Sequence, residues 1–176
     1  MKPTALRYGL YGTLAIVVLS AIHFFFIFPN ASYNTSEVAG YLTMFLSMIF
    51  VFLGIRYYRD QVNGGHLSFG QGLKTGALIS VVPAVAFGIF DLLYTQVINP
   101  TWLKKYQDYY AAELKRTTSP EKLEEALKKF ESEAAMFNNP VMLFLVMTAT
   151  VFIIGMIVTI ISTVALKRNK PKPVIA

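Results

Sequence analysis

Four long apolar runs alternate with polar segments along the chain. The runs cover about residues 8–28, 38–55, 75–98 and 140–166. Each reaches the length of about 17 residues or more that an α-helix needs to cross a bilayer's hydrocarbon core of roughly 30 Å. Backbone polar groups in lipid must be satisfied within the segment, so these runs predict helices. The pattern therefore predicts an all-α integral membrane protein, with four transmembrane helices in a single membrane domain over residues 1–176.

The longest polar segment, residues 99–139, has a helical pattern of its own. Ser119 followed by Pro120 is typical of a helix start. Apolar residues recur at helical spacing on both sides of this point: Leu103, Tyr106, Tyr110 and Leu114, then Leu123, Leu127, Phe130, Ala134 and Phe137. These spacings predict an amphipathic helical hairpin between the third and fourth spans. Its apolar faces need a partner, which is either the other helix, the membrane surface or another protein.

The charges of the chain indicate its orientation. The net charge is +6, and only 15% of the residues are charged. Nine basic residues flank the spans on the side that would hold both termini: Lys2, Arg7, Arg56, Arg59, Lys74, Lys167, Arg168, Lys170 and Lys172. Basic residues prefer the cytoplasmic side, which predicts cytoplasmic termini and a hairpin on the outer side of the membrane. Because the excess charge lies beside membrane spans, the pattern argues against a nucleic-acid partner.

Chemistry-bearing residues are few. The chain has no cysteine and two histidines, and no spacing typical of a metal site or a catalytic triad is present. The sequence therefore predicts no catalytic residue, no cofactor and no metal site.

Two ionisable residues, His23 and Asp91, lie inside predicted spans, where such residues are costly and often functional. Counting from the span midpoints places both at a similar depth on the outer side of the bilayer. Tyr41 and Thr148 reach the same depth on the opposing helices, and Tyr94 follows one turn after Asp91. These five residues form a candidate polar layer. Three interpretations remain open: a structural layer that ties the bundle together, separate side chains that reach interfacial water, or a ligand or proton site.

The third span carries a row of small residues at intervals of four. They are Gly72, Gly76, Ser80, Ala84 and Gly88. Small residues at this spacing allow membrane helices to approach closely. The row therefore predicts a helix-packing face.

Several segments together resemble a known family. The resemblance rests on Ile55 to Asp60, Asn63 to Gly65 and Leu67 to Gly72, and on Tyr94 with Ile98 to Pro100 at the end of the third span. On these residues the chain resembles the membrane proteins grouped as domain of unknown function 4199, which occur mostly in Bacteroidetes. The resemblance implies a multi-pass protein of the bacterial inner membrane with four helices. It implies no activity, cofactor or catalytic residue.

Three functions are compatible with these observations. The first is a non-enzymatic subunit or scaffold that interacts through its outer hairpin and its transmembrane packing faces, with a homo-oligomer or another membrane protein as partner. The second is a small oligomeric transporter or channel with a polar layer at His23 and Asp91. The third is a membrane enzyme.

The orientation can be tested with topology reporters. Reporters fused after Lys172 and within residues 61–65 should report the cytoplasm, because basic residues flank both sites. A reporter inserted within residues 117–120 should report the periplasm. A cytoplasmic signal from the last insertion would rule out the predicted topology.

Overall fold

The computed structural model describes residues 1–28 and 32–168, which are mostly helical. The helices are α1 Lys2–Ile22, α2 Tyr33–Ser47, α3 Ile49–Tyr57, α4 Phe69–Leu93, α5 Trp102–Thr117, α6 Pro120–Phe137 and α7 Pro140–Leu166. Short π-helical turns continue three of them, at His23–Ile27 after α1, Tyr58–Val62 after α3 and Tyr94–Ile98 after α4.

Within the described residues, four helical segments are long and apolar enough to cross a membrane, which confirms the predicted number. They are Lys2–Ile27, Tyr33–Val62, Phe69–Ile98 and Pro140–Leu166. The first three begin earlier than the predicted apolar runs, because helical hydrogen bonding continues from the apolar core into the polar residues beside it. Ser32 sets one of these starts, since its Oγ accepts a hydrogen bond from the Thr35 backbone N–H. Lys170 and Lys172 lie outside the described residues.

The second span differs from the single helix that its apolar run predicts. It consists of α2 and α3, which meet at Met48, where φ is −78° and ψ is 0°. The preceding residue, Ser47, donates a hydrogen bond from Oγ to the Met44 carbonyl at 2.7 Å. Hydroxyl bonds to the preceding turn often bend helices, which accounts for a break at this point.

The chain divides into two compact units. The first contains Met1–Phe87 and the chain from Thr148 onward, and the second contains Gly88–Met147. The first unit holds most of three spans and the second half of α7. The second unit holds the end of the third span, the two hairpin helices and the start of α7.

Within the first unit, α4 and α7 run antiparallel and approach through small residues. A Cβ added to Gly72 would lie 2.5 Å from Thr163 Cγ2, and one added to Gly76 would overlap Thr159. One turn further, a Cβ on Gly155 would lie 2.6 Å from Ser80 Cβ. The contacts therefore repeat every four residues on both helices: as the position on α4 increases by four, the position of its partner on α7 decreases by four.

The same register continues beyond the helices. Leu67 lies five residues before Gly72, and Arg168 lies five residues after Thr163. Their backbones form an antiparallel pair, with N–O distances of 2.9 Å and 3.0 Å. The Leu67 side chain is fully buried. This backbone pair therefore ties the start of α4 to the end of α7 outside the apolar helices.

Glycines also lie at close contacts of α1 with α4 and of α3 with α1 and α4. A Cβ on Gly9 of α1 would lie 2.8 Å from Val82 Cγ2 of α4. A Cβ on Gly54 of α3 would lie 2.5 Å from Ile79 Cδ1 and 2.9 Å from Tyr8 Cβ. Because lipid is as apolar as the side chains, such contacts stabilise the bundle through close packing rather than through burial from water.

The packing role can be tested with two alanine substitutions in α4. Gly76→Ala should lower the stability of the protein by about 1–3 kcal/mol, since the new methyl group overlaps Thr159. Gly70→Ala is the matched control, because nothing lies within 4 Å of a Cβ at that position. Thermal unfolding in detergent should show a lower midpoint for Gly76→Ala alone. Equal midpoints for the two variants would remove the packing role of Gly76.

Candidate functional site

His23 lies in the π-helical turn that ends the first span. Its side chain is only 7% exposed, and its Nδ1 atom has no hydrogen-bond partner. The imidazole packs against Gly40 of α2, where an added Cβ would lie 3.8 Å from Nε2. Gly40 therefore lies beside the imidazole, at a distance where a methyl group would make an ordinary contact.

Tyr41 differs in burial from the other members of the predicted layer. Tyr41 is 48% exposed, so it lies on the surface of the protein, which agrees only with the interpretation of separate side chains that reach interfacial water. The neighbouring position, Gly40, faces His23 instead. The buried polar residues of α2 are Ser36, Thr43 and Ser47. Together with Gly40 they recur at intervals of four, three and four residues, a helical signal in the sequence that could have identified this face.

Asp91 and Tyr94 belong to the second unit and are both buried, with 3% exposure each. Asp91 Oδ2 has no hydrogen-bond partner, while the Asp91 carbonyl accepts a bond from Thr95 Oγ1 at 2.9 Å. The Tyr94 hydroxyl accepts one from Asn99 Nδ2 at 3.2 Å. A buried acid of this kind is a candidate for binding a proton or a cation.

Thr148, the last member of the predicted layer, has a buried Oγ1 without a hydrogen-bond partner. His23 and Thr148 belong to the first unit and Asp91 to the second. The pairing of His23 with Asp91 therefore stays a prediction. Across residues 1–28 and 32–168, no three His, Asp or Glu side chains converge into a group that could hold a metal ion.

The hairpin helices α5 and α6 contact each other along the second unit. Gln107 Nε2 joins them, donating to the Ala134 carbonyl at 3.2 Å and to Asn138 Oδ1 at 3.3 Å. Helix α6 begins at Pro120 as predicted, with Ser119 as its N-cap residue, although the Ser119 side chain makes no capping hydrogen bond. The predicted apolar residues of both helices are half-buried, and neither helix has a fully buried residue.

A row of aromatic rings connects the hairpin to the end of the third span. Tyr94 and Trp102 have ring centroids 6.2 Å apart. Trp102 stacks on Tyr106 at 5.3 Å, and Tyr106 contacts Tyr110 at 4.6 Å. Aromatic pairs at these distances contribute about 0.5–1.5 kcal/mol each beyond the area they bury. The row therefore fixes α5 to the π-helical turn at Tyr94–Ile98.

A groove of 290 Å³ lies between the two hairpin helices. Its lining combines five apolar residues, Ala111, Leu127, Phe130, Ala134 and Ala135, with the polar residues Gln107, Asp108, Glu131 and Asn138. Beyond the groove, Glu113 pairs with Arg116 at 2.7 Å and raises the pKa of that guanidinium. This pair is exposed and contributes little to stability. The groove thus combines an apolar wall with negative charge.

The loop between the second and third spans is held by side-chain hydrogen bonds. Gly64 and Gly65 have positive φ values of 62° and 79°, as expected for the Asn-Gly-Gly turn. Gln71 Oε1 accepts bonds from the Ser68 backbone N–H at 3.0 Å and from Asn63 Nδ2 at 3.2 Å. Arg59 donates to the Leu166 carbonyl at 3.4 Å. The turn was predictable, but the contact with the end of α7 was not, since those residues are far apart in sequence.

Comparison with known proteins agrees with the resemblance seen in the sequence. Residues 7–168 match the sequence model of a family described as "Protein of unknown function (DUF4199)". No curated protein and no solved structure matches the chain. The match covers nearly the whole chain, from α1 to the backbone pair at Arg168. The chain therefore belongs to the DUF4199 family of proteins of unknown function.

Proposed function

We propose that this chain is a non-enzymatic subunit of the bacterial inner membrane whose α5–α6 hairpin binds a partner protein. Both termini lie in the cytoplasm and the hairpin lies in the periplasm. The observation that carries the proposal is the incomplete burial of the hairpin, in which no residue is fully buried. Two amphipathic helices that cover each other only in part leave apolar surface for a further contact.

The charge of the hairpin favours a protein partner over the membrane surface. Residues 99–139 contain seven basic and seven acidic residues, so the segment is neutral overall. Helices that lie on anionic membranes carry an excess of Lys and Arg on their polar face. The hairpin lacks this excess, which leaves its apolar residues as the main source of binding energy.

The groove between α5 and α6 is the proposed contact surface. Its apolar lining of three alanines, Leu127 and Phe130 accepts an aliphatic side chain, and Asp108 and Glu131 would pair with a basic group at the end of that side chain. A partner segment with a Lys or Arg side chain fits this combination, because the long stem packs on apolar surface while the charged group meets the carboxylates.

Two exposed alanines provide a matched test. Ala135 lines the groove and Ala112 does not, and both are exposed. We expect Ala135→Arg to reduce a hetero-complex by at least roughly tenfold, since a bulky cation would fill the groove. Ala112→Arg should leave the complex intact. The measurement is native mass spectrometry after extraction from native membranes in mild detergent.

The same measurement addresses a second candidate function, a small oligomeric transporter or channel. The observation in its favour is Asp91, a buried acid within a span whose Oδ2 has no hydrogen-bond partner. A symmetric homo-oligomer without a second protein, unchanged by Ala135→Arg, would contradict the partner-binding proposal and support the transporter.

A further inference from the structure

Two neighbouring grooves follow the contact between α1 and α3. The first has a volume of 510 Å³ and is lined by Tyr11, Leu14, Ala15, Val18 and Phe50. The second has a volume of 320 Å³ and is lined by Tyr8, Leu53, Arg56, Tyr57, Asp60 and Gln61. We call the two together the seam groove.

Aromatic rings connect the two parts of the seam groove. The Tyr8 ring lies 5.7 Å from the Tyr11 ring and 5.6 Å from the Tyr57 ring, measured between centroids. Tyr11 in turn lies 5.9 Å from Phe50. Because α1 and α3 run antiparallel, the lining residues progress from the polar end at Gln61 and Tyr8 to the apolar end at Phe50 and Val18.

The two ends differ in chemistry. Apart from the Tyr11 ring, aliphatic residues and Phe50 line the inner end. At the polar end, the Arg7 guanidinium lies 5.8 Å from the Tyr57 ring and 5.9 Å from the Tyr11 ring. Its Nε donates to the Tyr11 hydroxyl at 3.1 Å. Arg7 is therefore held over aromatic faces beside the groove.

Positive charge exceeds negative charge at the polar end. Asp60 is engaged by Arg59, which donates to both carboxylate oxygens at 2.6 Å and 3.0 Å. Arg56 lies 3.8 Å from the same carboxylate, and its side chain is 60% exposed. Since Arg59 already compensates Asp60, Arg7 and Arg56 retain positive charge for an anion in the groove.

The length of the seam groove matches one leaflet of a bilayer. Tyr8 and Val18 are ten residues apart, which corresponds to about 15 Å along a helix. This is half of the hydrocarbon thickness of roughly 30 Å. A groove with a basic end at the interface and an apolar end toward the membrane centre has the dimensions of one phospholipid acyl chain with its phosphate.

We propose that the seam groove binds an anionic phospholipid, with its phosphate at Arg7 and Arg56 and one acyl chain along Leu14, Val18 and Phe50. A second copy of this chain is a poorer occupant, because its membrane-length helices contain only three acids, Glu37, Asp60 and Asp91. Asp60 is already paired with Arg59. The headgroup of an anionic lipid supplies the missing negative charge.

The test compares lipids and variants in purified, delipidated protein. Native mass spectrometry should show phosphatidylglycerol bound roughly tenfold more tightly than phosphatidylcholine, because both lipids present a phosphate to the arginines but the choline cation of phosphatidylcholine is repelled by them. Arg7→Gln combined with Arg56→Gln should abolish this preference. The control removes two charges from the hairpin by Lys115→Gln combined with Arg116→Gln, and it should preserve the preference. Equal binding of the two lipids by the unmodified protein would overturn the proposal.

Two further measurements separate the lipid from other occupants. Ala15→Leu narrows the apolar end and should weaken binding of phosphatidylglycerol without affecting the arginines. Soluble glycerol phosphate should compete poorly, because it has no acyl chain. Effective competition by glycerol phosphate would contradict the lipid assignment. So would efficient disulfide dimers of a Val18→Cys variant that persist when anionic lipid is added, since they would indicate a second copy in the groove.

Discussion

The close approach of α4 and α7 is the constraint on which the membrane part of this fold depends. Gly72, Gly76 and Gly155 meet Thr163, Thr159 and Ser80 at distances that leave no room for a Cβ on the glycine side. Lipid provides no hydrophobic force between helices, so the contact area gained by small residues has to hold them together. The backbone pair of Leu67 with Arg168 extends the same register to the loop. The loop between the second and third spans is held beside the end of α7, where Arg59 also donates to the Leu166 carbonyl.

The elements that the sequence predicts well are those with a local cause. The four spans follow from apolar length, and the start of α6 follows from Ser119 and Pro120. The turn at Gly64 and Gly65 follows from residues that tolerate positive φ. The row of small residues on α4 was visible in the sequence. Its partners on α7 were not, because a pattern on one helix does not indicate how that helix is aligned with another.

The elements that the sequence predicts poorly depend on which face of a helix turns inward. In a soluble protein the polar face of a helix identifies its solvent side, but in a membrane both faces are apolar. Tyr41 illustrates the difficulty, since depth alone grouped it with His23, whereas Gly40 is the residue of α2 that faces the imidazole and Tyr41 is exposed. The break at Met48 and the π-helical turns after α1, α3 and α4 also arise from packing and local hydrogen bonding rather than from hydropathy. The seam groove required the structure for the same reason, because it combines residues of the first and second spans that are about 30 to 50 positions apart.

Disulfide trapping between α4 and α7 tests the register most directly, since the chain contains no cysteine of its own. The register observed from Gly72 to Ser80 places Ala84 opposite Val151, and both side chains are fully buried. We expect the Ala84→Cys, Val151→Cys double variant to form an intramolecular disulfide under mild oxidation, because the two Cα atoms would lie within the roughly 7 Å that a disulfide requires. The Ile79→Cys, Val151→Cys variant, displaced by about 7.5 Å along α4, should not form one. A disulfide in the displaced pair without one in the aligned pair would contradict the register, and with it the small-residue contact between α4 and α7.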